Sequence, residues 1–410
     1  MASDFGASIL MGATPALDQV PREKRQEVVT RALVIALIAF LTLIDLFGSQ
    51  ALLPTLVAHY GVSPAIMGFA VNASTFGMAI AGLIVALFAS VIDRKLAIWM
   101  SLALLSIPTF LLGLTQDLTT FTVLRVVQGF FMSAAFTLTL TYLSEVCTVT
   151  AASGAMAAYI TGNVASNLFG RLLAAGIADN IGLSESFFTF SALNLFGAGL
   201  AILYLGLRDG PRGESQTVRL SVWQAWVDHI SNPKLRASFG IGFIILFAFV
   251  GTFTYVNFVL AEGPFSLPQA TIGLIYFVFL PAMLTTPIAG SISRKYGARA
   301  VFWSSIFLSM AGLIMLLTPH LAIVLLGLAL IGIGLFFGQA AATGYVGRTA
   351  THSHAAANGL YLTSYYVGGL VGAFVLGQVY VLSGWAAVVL VLVAVLAVAL
   401  VLGRDLKEGT

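Results

Sequence analysis

Three ionisable residues, Asp45, Arg125 and Arg171, stand inside long apolar stretches of this 410-residue sequence. Near the centre of a membrane helix such a residue costs about 2.5–3.5 kcal/mol on insertion scales, so each reads first as functional. Arginine does not release its proton in a protein, which leaves Asp45 as the group able to titrate. A nearby guanidinium favours the carboxylate, and desolvation favours the acid. Moving the arginine, or binding a substrate, would therefore switch the protonation of Asp45. That is the chemistry of a proton-responsive site. The plainer alternative is a static pair between Asp45 and an arginine, and Arg171 has a second alternative, snorkelling to the outer interface.

Uncharged polar and aromatic residues supply a second set. Gln50, Gln128, Tyr255, Asn257, Gln339, Tyr361 and Tyr365 are candidate lining residues of a substrate cavity, and Tyr276, Tyr366 and Gln378 lie in the same apolar stretches. A cavity with one charged and one aromatic wall suits an amphipathic organic molecule, although any one of these aromatics alone reads as packing. Other chemistry finds little support. Cys147, the single cysteine, permits no internal disulfide and reads as a small packing residue. His352 and His354 form an isolated H-x-H pair without a third ligand, so no metal site is expected. The glycines of 332–338 sit in an apolar run with the wrong spacing for a nucleotide loop and read as close helix packing. Glu145 and Asp179 fall at the ends of apolar stretches and read as solvated carboxylates. No Walker A sequence and no nucleophile–base or H-E-x-x-H arrangement occurs, so neither a cofactor nor enzymatic activity is expected.

The elements that must position these residues follow from composition. Only 9% of residues are charged, 59% are hydrophobic, and the mean hydropathy is +1.00. Such a chain cannot cover a soluble globule with polar surface, and it is too apolar to be disordered. Its apolar runs are continuous rather than alternating, which points to membrane helices and not a β-barrel. A span needs roughly 20 apolar residues. On that scale twelve are predicted, at about 32–54, 66–90, 96–114, 121–144, 154–177, 185–207, 238–260, 271–293, 300–318, 321–345, 357–381 and 385–403. The fold class is thus an all-α integral membrane protein of twelve transmembrane helices in two six-helix bundles.

Basic residues set the orientation. With both termini in the cytoplasm, 17 of the 19 Lys and Arg face that side, none falls in an outer loop, and the other two are Arg125 and Arg171. These basic loops account for the net charge of +3 and the pI near 9.0, so no nucleic-acid partner is expected. The first residues lack the pattern of a removable signal peptide. The expected organisation is a cytoplasmic tail (1–30), a first six-helix bundle (31–207), a cytoplasmic linker (208–237), a second bundle (238–404) and a short tail (405–410). At 1.5 Å per residue, Asp45 lies about 20 Å and Arg171 about 25 Å from the inner ends of their spans, and Arg125 about 6 Å from the outer end of its own. All three fall in the outer half of the first bundle, where an Asp–Arg contact is possible.

An internal repeat supports the two bundles. Tyr159, Thr161 and Gly170 in the fifth span recur as Tyr361, Thr363 and Gly372 in the eleventh, at one offset of 202 residues. Parallel repeats of this kind place a substrate site at their interface near the midplane, the arrangement used for alternating access.

Several segments resemble the major facilitator superfamily. Leu124-Arg125-Val126-Val127-Gln128-Gly129 matches its R-x-x-Q-G signature, and Gly290…Arg294-Lys295-Tyr296-Gly297-Ala298-Arg299 is similar to the loop after span eight. The counterpart after span two, ending Asp93-Arg94-Lys95, is shorter and lacks the usual glycines. Ser49…Pro54 and Tyr159…Arg171 resemble the YnfM-type branch near the drug:proton antiporters, with Asn167 and Leu168 where the antiporter G-P pair would stand. The resemblance implies a central cavity lined by spans one, four, seven and ten, a proton-coupling role for Arg125, and cytoplasmic gate loops containing Asp93, Arg94, Arg294, Lys295 and Arg299.

The expected function is secondary transport of a small organic or amphipathic solute by alternating access, proton-coupled and directed outward, in a monomer embedded in the lipid bilayer of a bacterial inner membrane. The alternative is a proton-coupled uptake symporter whose Arg125 and Arg171 bind a small organic anion. A channel, a membrane-embedded enzyme or a non-transporting receptor would belong to other classes.

Overall fold

The computed structural model describes residues 22–88, 93–146, 149–206, 222–350 and 354–406. Cys147, His352, Lys407 and residues 208–221 of the 208–237 linker lie outside the described residues, as do the side chains of Glu145 and Arg294. The described residues form helices and the short turns between them, and contain no strand. In the first half run α1 (Arg22–Ala51), α2 (Leu53–Tyr60), α3 (Pro64–Asn72), α4 (Ser74–Phe88), α5 (Arg94–Leu112), α6 (Leu118–Val146), α7 (Val149–Asn180) and α8 (Leu183–Gly206). A short α9 (Val222–Ser231) leads into α10 (Pro233–Ala261), α11 (Gln269–Ile275), a 3-10 turn (Tyr276–Phe279), α12 (Leu280–Tyr296), α13 (Ala298–Met315), α14 (Leu321–Thr349) and α15 (His354–Leu402).

Among the described residues nine helical segments are long and apolar enough to cross a membrane. One of them, Ala356–Asp405, is 50 residues long and holds two of the expected spans. Gly384 breaks it with φ 76°, a left-handed value that a side chain would resist, and Trp385 Nε1 then donates to the Leu316 carbonyl at 3.1 Å. The expected fifth span corresponds to α7, whose 32 residues would reach about 48 Å but carry Arg171 and many small polar residues. The expected eighth is divided between α11, the 3-10 turn and α12.

Local chemistry fixes the helix starts. Ser63 accepts from the Ile66 N–H ahead of Pro64, Asp93 caps α5 through the Leu96 N–H at 3.2 Å, and Asn232 accepts from Lys234 and Leu235 ahead of Pro233. Asp117 sets the start of α6, the helix that carries Arg125. Its carboxylate accepts from the Thr120 N–H at 2.7 Å and the Thr120 hydroxyl at 2.8 Å. Those two bonds hold the carboxyl below its ordinary pKa, the backbone one first. The cap therefore helps above the ordinary carboxylate range and is lost as pH falls through the lowered value.

Packing follows the repeat. In the first half α1 packs on α7, α4 on α6, and α5 on α6 and α8. In the second α10 packs on α15 and α13 on α14. The repeat glycines mark equivalent crossings: a Cβ on Gly170 would stand 2.7 Å from the Ile44 carbonyl oxygen of α1, and one on Gly372 would stand 2.7 Å from the Phe247 carbonyl oxygen of α10. The halves meet where α15 lies against α3 and α4 and where α7 lies against α11, the 3-10 turn and α12.

The tightest crossing explains the glycine of the R-x-x-Q-G segment. A Cβ on Gly129 would come within 1.8 Å of the Ser74 carbonyl oxygen, and one on Gly77 within 1.8 Å of the Val126 carbonyl oxygen. The α4 and α6 backbones touch there, which brings Arg125 up to the joint between α3 and α4. Gly129→Ala is expected to push these helices apart and cost about 1–3 kcal/mol of stability. Gly176→Ala, with no neighbouring atom within 4 Å, is the control that should not lower the unfolding temperature of the detergent-purified protein.

Candidate transport site

Two polar clusters occupy the interior. The first lies wholly in the first half. Asp45 from α1, Thr109 from α5, Arg125 and Gln128 from α6 and Asn194 from α8 are all 0% exposed. One carboxylate oxygen, Asp45 Oδ2, accepts from Thr109 Oγ1 at 3.0 Å, Gln128 Nε2 at 2.9 Å and Asn194 Nδ2 at 2.9 Å. The other, Oδ1, has no hydrogen-bond partner among the described residues. A proton can settle on Oδ1 without displacing any donor.

Each nitrogen of the Arg125 guanidinium has an acceptor. Its Nε donates to the Val71 carbonyl at 2.8 Å, Nη2 to Ser74 Oγ at 3.0 Å, and Nη1 to Gln128 Oε1. Gln128 thus stands between the charges, giving its amide N–H to Asp45 and its amide oxygen to Arg125. The sequence left a direct Asp–Arg contact possible. Among the described residues the two are bridged by Gln128 instead, three residues along α6 from Arg125 and therefore on the same face.

The second cluster joins the halves. Arg171 on α7 is 0% exposed. Its Nε donates to Asn167 Oδ1 at 3.0 Å and its Nη2 to Gln50 Oε1 at 2.5 Å. No carboxylate pairs with it among the described residues. The guanidinium lies 4.1 Å from the ring centroid of Tyr276, with Phe47 at 5.8 Å and Phe279 at 6.0 Å. A desolvated cation over an aromatic face is worth about 2 kcal/mol. Gln50 Nε2 donates to Asn72 Oδ1 at 2.8 Å, and Asn72 Nδ2 donates to Thr254 Oγ1 at 3.2 Å in the other half. Asn257 Nδ2 donates to the Gln50 carbonyl at 3.1 Å, and the Tyr276 hydroxyl donates to Asn257 Oδ1.

The structure therefore sorts the sequence-predicted residues. Asp45, Arg125 and Gln128 share one cluster. Arg171, Gln50 and Asn257 share the other. Tyr255 is wedged nearby, its hydroxyl donating to the Ala373 carbonyl and its ring stacked at 5.6 Å on Tyr380. Tyr361 and Tyr365 stack at 6.3 Å as a separate group with Tyr366, and Gln339 interacts with the Tyr365 side chain. The loop residues lie apart from both clusters: Asp93 is a helix cap, Lys295 Nζ lies 5.2 Å from the Tyr296 ring, and Arg299 lies 5.4 Å from the Trp303 ring. Thr109, Asn194, Ser74, Asn72 and Thr254 were not singled out in the sequence. Each is an ordinary uncharged residue in an apolar helix, and its only signal is convergence in space.

Helices that cross a membrane, two repeated halves and polar clusters placed within and between them define a solute transporter. The sequence profile of the Major Facilitator Superfamily matches residues 35–279 and 259–407, and the chain belongs to that superfamily. It is 27% identical over 371 residues to an uncharacterized MFS-type transporter of Bacillus subtilis, YybF, covering 90% of this chain and 91% of that one. It is likewise 27% identical over 373 residues to the inner membrane transport protein YnfM of Escherichia coli, covering 88% and 87%. Among solved structures, the nucleoside transporter NupG superposes with a TM-score of 0.72 at 15% identity, covering 92% of this chain and 100% of that one. A bacterial homolog of the human lysosomal transporter Spinster, inward-facing and occupied, gives 0.72 at 16% identity, covering 95% and 100%. The protein is an integral membrane transporter with the fold of that superfamily.

Gln128→Leu removes a donor from Asp45 and an acceptor from Arg125 together. A loss of at least about 1–3 kcal/mol of stability is expected, since the guanidinium keeps a buried N–H with no acceptor. Thermal unfolding of the purified variant checks it.

Proposed function

We propose that this protein is a proton-coupled secondary transporter that exports a small organic or amphipathic solute by alternating access, with Asp45 as the group that takes up and releases the proton. The observation that carries this reading is the asymmetry at Asp45: among the described residues three neutral donors meet Oδ2 and none meets Oδ1, in full burial. A carboxylate kept only as half of a structural pair would meet its arginine directly. Here Gln128 lies between them, so the influence of Arg125 reaches Asp45 through a side chain that can turn. Proton transfer at Oδ1 changes what Gln128 and Asn194 face, and Gln128 passes that change to Arg125.

The distribution of basic residues supports cytoplasmic termini in a bacterial inner membrane. In that orientation the cluster linking the halves lies on the outer side, and the described state is closed toward the outside. Gln50, Tyr255 and Asn257 are then closing contacts, while Gln339, Tyr361 and Tyr365 lie on the inner part of the solute path. The two bundles keep the limits of 31–207 and 238–404, and the functional unit is the monomer. The loop residues Asp93, Arg94, Arg294, Lys295 and Arg299 lie on the cytoplasmic side and take part in closing that face.

Proteoliposomes containing the pH dye pyranine test the coupling. Members of a panel of organic solutes added to the wild type should elicit proton flux, and Asp45→Asn should abolish that flux while solute exchange persists. Solute movement through Asp45→Asn that still follows an imposed pH gradient would falsify the role given to Asp45.

A further inference from the structure

The two buried arginines differ in how completely their charge is used. Arg125 places Nε, Nη1 and Nη2 on acceptors. Arg171 places Nε and Nη2 on neutral amides and interacts with the Tyr276 side chain, and its Nη1 has no hydrogen-bond partner among the described residues. Asn167, the residue that accepts from Arg171, is 0% exposed, and its Nδ2 donor also has no partner among the described residues. Leaving such donors buried costs about 1–3 kcal/mol each, and more where the group is charged. An anionic oxygen group would supply both the acceptors and the countercharge, and the planar guanidinium fork is shaped for it. Around the guanidinium stand Phe47, Tyr276 and Phe279, with Tyr276 and Phe279 contributed by the other half. These surfaces suit an apolar or aromatic body attached to the anion.

We propose that Arg171 anchors a carboxylate, sulfonate or phosphate on the transported solute, so that the substrate class is amphipathic organic anions. The anion takes the place of Gln50 as acceptor at Nη2. The Gln50 side-chain amide that it displaces also donates to Asn72, which reaches Thr254 in the second half. Binding thereby disturbs one of the contacts that hold the halves together, which ties occupancy to opening. This assigns separate tasks to the three charges: Asp45 and Arg125 handle the proton, and Arg171 handles the solute. The inference rests on the alternating-access reading but not on proton coupling through Asp45, because binding is measured without a gradient.

The probes are 1-naphthoate, 1-naphthalenesulfonate and the neutral isostere 1-naphthamide, added to wild-type protein in phosphatidylcholine nanodiscs and read by thermal unfolding. The two anions should raise the unfolding temperature, and the amide should not. Arg171→Gln should weaken the naphthoate response at least about tenfold, the loss of one charge-assisted hydrogen bond. Arg171→Lys keeps the charge without the fork, so it should fold and still bind more weakly than wild type. Asp179→Asn, an exposed carboxylate on the same helix, should respond as wild type. The proposal is overturned if carboxylate and amide act equally, if no anion acts, or if Arg171→Gln or Arg171→Lys responds like wild type. It is also overturned if added phosphatidylglycerol stabilises the protein while no soluble anion does, since the site would then belong to a lipid headgroup.

Discussion

Among the described residues Asp45, Arg125 and Arg171 are fully buried in an apolar interior, and none of the three meets an opposite charge directly. That constraint shapes the rest of the structure. Taking an ion out of water costs several kcal/mol even after relaxation, so each charge must gather neutral dipoles. Asp45 gathers a threonine and two side-chain amides on one oxygen. Arg125 gathers a backbone carbonyl, a hydroxyl and an amide. Arg171 gathers two amides and an aromatic face. The helix crossings exist at the places where they deliver these groups, and the α4–α6 crossing, where Gly77 meets Val126 and Gly129 meets Ser74, is the clearest case.

The two clusters share two helices. On α1, Asp45 belongs to the first cluster and Gln50 to the second. On α3, the Val71 carbonyl receives Arg125, and the next residue, Asn72, receives Gln50 and reaches Thr254 in the opposite half. In the proposed mechanism this is how protonation is felt between the halves. A change at Asp45 alters Gln128 and Arg125, Arg125 pulls on the end of α3, and Asn72 moves with it. The coupling needs no long-range field, only neighbouring residues on rigid helices with alternative hydrogen-bond partners.

The bundle was legible in the sequence because membrane helices are written in long apolar runs and in the sidedness of Lys and Arg. The 202-residue repeat was legible too, and its glycines turned out to mark equivalent crossings. The charged residues were legible because each is costly in an apolar run, so Asp45, Arg125 and Arg171 stood out. The order of their contacts was not. Gln128 could be named as polar, but only folding shows that it separates Asp45 from Arg125. Thr109 and Asn194 carry no signal beyond their type, since a single hydroxyl or amide in a helix is as often turned back on its own backbone. Helix depth placed all three charges together, whereas the structure divides them into two sites, a distinction that depends on which helix faces which.

In the proposed mechanism the protonation state of Asp45 controls the contact between the halves around Arg171. Pulsed electron paramagnetic resonance tests it most directly, with spin labels on Ile181→Cys and Leu382→Cys, exposed positions on opposite halves, in a chain carrying Cys147→Ser. The distance distribution should shift with pH in the otherwise native protein and become independent of pH when Asp45→Asn is added. An equal pH-driven shift in the Asp45→Asn protein would contradict it.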